Sequence, residues 1–171
     1  MLKKGYIQVY TGNGKGKTTA ALGLALRAIC DGNRVFFGQF LKGQYTSELK
    51  ASIYLPEFVM EQFGDIRFIK EATDDDMRRT HRAFERMSSI LTSGLYNLVI
   101  FDEINTAMQL NLLPIQWVLS LLNLKPERTE VVLTGRGAPI EIIERADLVT
   151  IMNEHKHYYN NGVKARIGIE Y

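Results

Sequence analysis

Short apolar, β-branched or aromatic runs alternate along this chain with longer segments whose apolar positions recur at helical spacing. Residues 6–10 (YIQVY) read as a first strand, and residues from about 17 to 30 as the helix that follows. After a DGN turn at 31–33, RVFFGQF (34–40) predicts a second strand, SELKASIYL a short helix stopped by Pro56, and FVMEQFG (58–64) a third strand. Thr73, ahead of three aspartates, predicts a helix start, because carboxylates favour the positive N-terminal end. Met77, Phe84, Met87 and Leu91 then mark that helix's core face. LYNLVIFDE (95–103) is nearly unbroken apolar sequence before two acids, the pattern of a strand buried on both faces of a parallel sheet. Pro114 predicts the first turn of another helix. EVVLTGR (130–136) and LVTIMN (148–153) predict further strands. VKARIGIEY (163–171) alternates strictly, with Val163, Ala165, Ile167, Ile169 and Tyr171 on one face, and predicts a half-exposed edge strand at the C-terminus. Together these elements predict one α/β domain, residues 1–171, with a mostly parallel central sheet.

Composition narrows this picture only modestly. At 46% hydrophobic and 23% charged residues the chain has the make-up of a soluble globular protein. A net charge of +2 supplies no general field for nucleic acid or an anionic membrane, and neither partner is expected. Cys30 is the single cysteine, which rules out an intramolecular disulfide, and its place at the end of an apolar helical run predicts a small core residue. Trp117 and the leucines around it likewise read as core. The N-terminal apolar stretch is too short and interrupted for a signal peptide, and no window approaches the ~20 apolar residues of a membrane span. A cytoplasmic location is expected.

The chemistry begins at TGNGKGKTT (11–19), which stands between the first strand and its helix. A phosphate-binding loop runs Gly, four free residues, then Gly-Lys-Ser/Thr. Counting back from Gly16-Lys17-Thr18, the first Gly falls at Gly12, so the loop is one residue short. Gly12, Gly14 and Gly16 free the backbone to turn its N–H groups inward, and the helix start adds positive potential. Nucleotide binding is therefore expected at Gly12, Asn13, Gly14, Lys15, Gly16, Lys17, Thr18 and Thr19, with Lys17 on the phosphates and Thr18 on Mg²⁺. Asp102 and Glu103 end a buried strand where such proteins keep a metal-organising acid, and both are candidate Mg²⁺ residues. Arg136, in the TGRG turn at the same sheet edge, is placed to pair with phosphate. His155 and His157 lack a third ligand nearby, which makes a metal site weak. These residues leave three readings open: a transferase, an ATPase or small-molecule kinase using Glu103 as base, and a RecA-like nucleotide-binding module without catalysis.

Four blocks in order, TGNGKGKTTAALGLALRA, LVIFDEIN, VVLTGRGAP and ADLVTIMNEHKHYYNNGVKARIGIEY, resemble the ATP:corrinoid adenosyltransferases of the CobA/BtuR type nearly end to end. The resemblance implies a P-loop NTPase (RecA-like) three-layer fold. It implies a reaction in which a Co(I) corrinoid attacks the ribose 5′-carbon of ATP and tripolyphosphate departs, with Lys17 and Glu103 as catalytic residues. Mg²⁺, a corrinoid acceptor such as cobalamin, an electron donor such as a flavin protein, and a homodimer follow from the same likeness. Such a site needs apolar groups around the corrin, and FGDIRFIK offers Phe68 first, then Phe63, as corrin-facing residues. Because the first strand lies almost at the start of the sequence, the N-terminal covering segment of longer family members is expected to be missing.

Overall fold

The computed structural model describes residues 3–65 and 72–171. Its centre is a six-stranded sheet in the order β3-β2-β4-β5-β1-β6. The strands are β1 (Ile7–Thr11), β2 (Val35–Gln39), β3 (Phe58–Gln62), β4 (Leu98–Asp102), β5 (Glu130–Thr134) and β6 (Leu148–Ile151). Every pairing is parallel. All six strands therefore end on one edge, where the loops to the following helices gather, and such an edge is where open α/β sheets bind ligands.

Parallel strands covered on both faces must be apolar throughout, and β4 and β2 are fully buried along their length. Alternate residues feed two cores. Phe36, Val99, Phe101, Val131 and Leu133 face α3 (Asp74–Thr92), α4 (Ile104–Gln109), α5 (Ile115–Asn123) and α6 (Ile140–Arg145). Phe37, Leu98, Ile100 and Val132 face α1 (Lys17–Cys30), whose Ala21 and Ala25 let it lie close, while the single turn of α2 (Ala51–Tyr54) adds Ala51. Thr73 caps α3 as its sequence predicts, and Asp76 completes a capping box by bonding back to the Thr73 N–H.

Several expectations need correction. Residues 163–171 form no strand: Gly162 and Gly168 adopt φ of 79° and 76°, and the chain coils back so that Glu170 accepts from the Arg166 N–H. The edge strands of the sheet are β3 and β6 instead. The alternation in that tail leaves Ile167 and Ile169 exposed, so it records no buried face. Cys30 lies exposed on the last turn of α1, since the apolar face of that helix ends before it. Trp117 is 44% exposed and packs its ring against His81 and Phe84, while Val118, Leu121 and Leu122 carry the α5 core contact. Met77 is 40% exposed, one turn before the core face of α3 begins. Pro114 is the N-cap of α5 rather than part of its first turn. Among the described residues no helix is long and apolar enough to cross a membrane.

Candidate active site

The loop of residues 12–16 links β1 to α1 at the carboxyl edge of the sheet. Gly12 and Gly16 need no Cβ for their φ of 97° and 120°, values that L side chains seldom adopt. Gly14 is required for a different reason. Its N–H donates to the Met152 carbonyl at 2.7 Å, and an added Cβ would stand 2.8 Å from that oxygen and from the Asn153 carbonyl carbon. The segment just beyond β6 is thus a wall against which the loop is pressed. Gly14→Ala is expected to cost about 1–3 kcal/mol by overpacking backbone against backbone. Urea unfolding checks this, with the loss appearing as a lower midpoint at unchanged slope.

Lys17 is 7% exposed, and its Nζ donates to the carbonyls of Gly12 (2.7 Å) and Gly14 (2.8 Å). Burial pushes its pKa down, Glu103 and Asp102 pull it up, and Arg136 adds to the lowering. These opposing influences place one positive and two negative partners around a single buried ammonium. Thr18 donates its hydroxyl to Asp102 Oδ1 at 2.9 Å. Asp102 is completely buried and fully engaged: Thr134 Oγ1 donates to Oδ1 at 2.6 Å, and Gln39 Nε2 donates to Oδ2 at 2.8 Å. Gln39 is oriented in turn by Gln62, whose amide donates to Gln39 Oε1 at 2.7 Å. Lys42 Nζ stands 3.6 Å from Asp102 Oδ2.

Glu103 follows directly, in the left-handed region at φ 65°, as the N-cap of α4. That backbone reversal separates it from Asp102 and ties its carboxylate to the Thr106 hydroxyl at 2.6 Å, while its N–H donates to Thr134 Oγ1. The TGRG turn lies against the same helix, since the Arg136 N–H donates to Thr106 Oγ1 at 3.0 Å and a Cβ on Gly135 would meet the Thr106 nitrogen at 2.7 Å. Lys17, Thr18, Asp102, Glu103 and Arg136 therefore converge, with the Arg136 side chain exposed. Asn13 and Thr19 are exposed beside the loop.

Lys15 is not brought into this group. Its ammonium bonds the Tyr158 hydroxyl (3.1 Å), the Ile169 carbonyl (3.2 Å) and Glu170 (2.9 Å) in the coiled tail. Glu170 also bonds Arg166 and the Tyr158 hydroxyl, and Arg166, Tyr158 and Lys15 in that order hold its carboxyl well below the usual range. A depressed carboxylate contributes fully to docking above its ordinary pKa, and that contribution is lost progressively as the pH falls from there through the lowered one. The tail is therefore expected to stay docked in acid where ordinary glutamates have protonated. Glu170→Gln should speed amide exchange across 158–171 several-fold while leaving the global melting temperature nearly unchanged.

Phe63 lies just past β3, with its ring 5.9 Å from that of Phe40, beside an open cleft of about 220 Å³ flanked by Arg79, Arg82 and Ala83. Phe68 lies outside the described residues. His157 packs against Tyr158 and accepts the Tyr159 N–H, and among the described residues no group of three or more His, Cys, Asp or Glu is clustered for a metal. Gln39, Lys42 and Thr106 fall outside the sequence motifs. Of these only Gln39 leaves a signal, as a polar residue near the end of an otherwise apolar strand.

The strand order gives an α/β protein with a six-stranded, all-parallel central sheet flanked by helices, consistent with a P-loop NTPase-like fold. Residues 3–171 match the family described as ATP:corrinoid adenosyltransferase BtuR/CobO/CobP, and the chain belongs to that family. It is 34% identical over 171 residues to the corrinoid adenosyltransferase of Escherichia coli (strain K12), covering 99% of this chain and 87% of that one. Against the corrinoid adenosyltransferase CobA of Salmonella typhimurium the identity is 35% over 171 residues, with the same coverage of 99% and 87%. An uncharacterized Nostoc protein is 36% identical over 184 residues, which span 96% of this chain and 48% of the Nostoc one.

Proposed function

We propose that this protein transfers the 5′-deoxyadenosyl group of ATP to the cobalt of a Co(I) corrinoid. The cobalt supplies the electron pair for the new Co–C bond, the C5′–O bond breaks, and tripolyphosphate leaves with that bond's electrons. The observation that carries this reading is the convergence of Lys17, Thr18, Asp102, Glu103 and Arg136 on one sheet edge in a chain of this family. The chemistry asks the protein for stabilisation of a departing polyanion, not for activation of water. Buried lysine, glycine-rich backbone and an exposed arginine suit that task. The binding of the Glu103 carboxylate to Thr106 within α4 supports an orienting role over that of a free base.

Mg²⁺ fits the residues present. The Thr18 hydroxyl and the Asp102 carboxylate are hard oxygen donors 2.9 Å apart, and this cation commonly takes one or two such groups with the rest from phosphate and water. When bound, it supplies positive charge to the phosphate oxygens. Thr18 would hold it, with Asp102 fixing the Thr18 hydroxyl and Glu103 within reach of the same region. Phe63 beside its cleft supports an apolar approach for the corrin. The reading includes a cytoplasmic homodimer served by an electron donor such as a flavin protein. Exposed Leu148, Val149 and Ile151 on edge strand β6 support pairing of two copies, which sedimentation would measure.

Chemically reduced cobalamin, ATP and Mg²⁺ provide the test. Adenosylcobalamin, read from its visible spectrum, and tripolyphosphate are expected in equal amounts. ADP and phosphate formed without dependence on the corrinoid would overturn the reading.

A further inference from the structure

We infer that Lys42 is a further triphosphate-binding residue, reaching the leaving group from the side of Asp102 opposite the glycine loop. The inference rests on the adenosyl-transfer reading and adds a residue to its site. In the sheet, β4 lies between β2 on one side and β5 with β1 on the other. Lys17 follows β1 and Lys42 follows β2, so the two ammonium groups approach the end of β4 from opposite flanks.

The backbone around Lys42 is built to hold it there. The Phe40 N–H donates to the Asp102 carbonyl at 2.9 Å, extending the pairing with β4. The chain then reverses within three residues, as the Lys42 N–H donates to the Phe40 carbonyl at 2.8 Å and Leu41 takes a φ of 60°. A bulky residue at positive φ persists only where its surroundings impose it. Here the Gly64 N–H donates to the Lys42 carbonyl at 2.9 Å, and a Cβ on Gly64 would collide with the Leu41–Lys42 peptide. The turn is clamped from both sides, and its product is an ammonium at the mouth of the buried acid.

Asp102 does not need that ammonium to stay in place. Thr18 and Thr134 occupy Oδ1, and Gln39 occupies Oδ2, which leaves Lys42 at 3.6 Å, beyond hydrogen-bond length. Its side chain is 34% exposed, whereas Asp102 is wholly buried, so Lys42 stands between the acid and solvent at the edge where a polyphosphate would lie. A flexible, compact cation in that position can exchange a loose contact for a direct bond to an anionic oxygen. Lys17 follows β1 and Arg136 follows β5, so neither comes from the β2 side of β4 that Lys42 occupies.

The test compares wild type with Lys42→Met, which keeps most of the stem, and Lys42→Arg, which keeps the charge. Calorimetry measures tripolyphosphate and, separately, adenosine, each with and without Mg²⁺ and without corrinoid. Lys42→Met is expected to weaken tripolyphosphate about 10- to 100-fold, the loss of one charge-assisted bond. Lys42→Arg should recover most of that loss, and adenosine binding should be equal in all three. Equal tripolyphosphate affinity in wild type and Lys42→Met would overturn the role of Lys42 while leaving the nucleotide site standing. Equal weakening of adenosine and tripolyphosphate would also overturn it, as the mark of a structural defect. A wild-type protein that binds no tripolyphosphate overturns the nucleotide site itself, and the inference with it.

Discussion

Lys17→Ala is expected to lower adenosyl transfer by about 10²–10³-fold or more, the range seen when one preorganised group facing a developing anion is removed. The ammonium is nearly buried and enclosed by the Gly12 and Gly14 carbonyls, so no solvent cation can take its place with comparable geometry. The loss should fall on kcat more than on KM, because charge on the tripolyphosphate grows as the C5′–O bond breaks. Lys17→Arg should recover little, since a planar guanidinium does not fit between two carbonyls spaced for an ammonium. The fold should survive, because the hydrogen bonds lost belong to a surface loop. Single-turnover formation of adenosylcobalamin, followed beside circular dichroism, measures both quantities. Unchanged turnover would remove the loop from the mechanism.

Asp102 has the second large expected effect, and its two substitutions separate folding from chemistry. Asp102→Ala leaves Gln39 and the hydroxyls of Thr18 and Thr134 without their shared acceptor in a fully buried position. Breaking a buried charged network on one side costs about 3–5 kcal/mol, a large fraction of a domain's stability. Asp102→Asn keeps the shape but turns one acceptor oxygen into a donor, which faces either Gln39 Nε2 or the two hydroxyls. The hydroxyls can rotate to suit, whereas the Gln39 amide is fixed by Gln62. Asp102→Asn should therefore melt only moderately lower than wild type, yet need a much higher Mg²⁺ concentration for half-maximal activity. A variant with a wild-type Mg²⁺ dependence would take Asp102 out of the metal site.

The site was legible in sequence where chemistry demands a residue type at a fixed chain position. The Gly12–Thr18 loop and the acids ending β4 are of this kind, because one strand and its following turn place them. What joins them was not legible. Gln39 and Thr134 reach Asp102 and Glu103 from other strands, and their separations of 63 and 31 residues along the chain leave no local pattern. The tail shows the opposite failure. Alternation at 163–171 imitates a strand, but two glycines at positive φ and the Glu170 contacts decide its path. Lys15 shows the same limit, since a loop lysine carries no sign that a glutamate 155 residues later bonds it. Trp117 shows that a large aromatic residue in an apolar helix need not lie inward when leucines suffice for the core.

The position of β1 has a consequence for how the molecule assembles. Its two neighbours are β5 and β6, paired Ile7 to Val131 and Gln8 to Leu148. No partner for the first strand exists until most of the chain has been made, and contacts this distant close slowly. The sheet from β2 to β5 can form without β1, so the first strand adds late at the β5 edge, and β6, whose pairing is with β1, adds after it. The glycine loop then gains its wall at Met152 only in that final step. Nucleotide affinity should thus arise last during refolding, after secondary structure has fully returned.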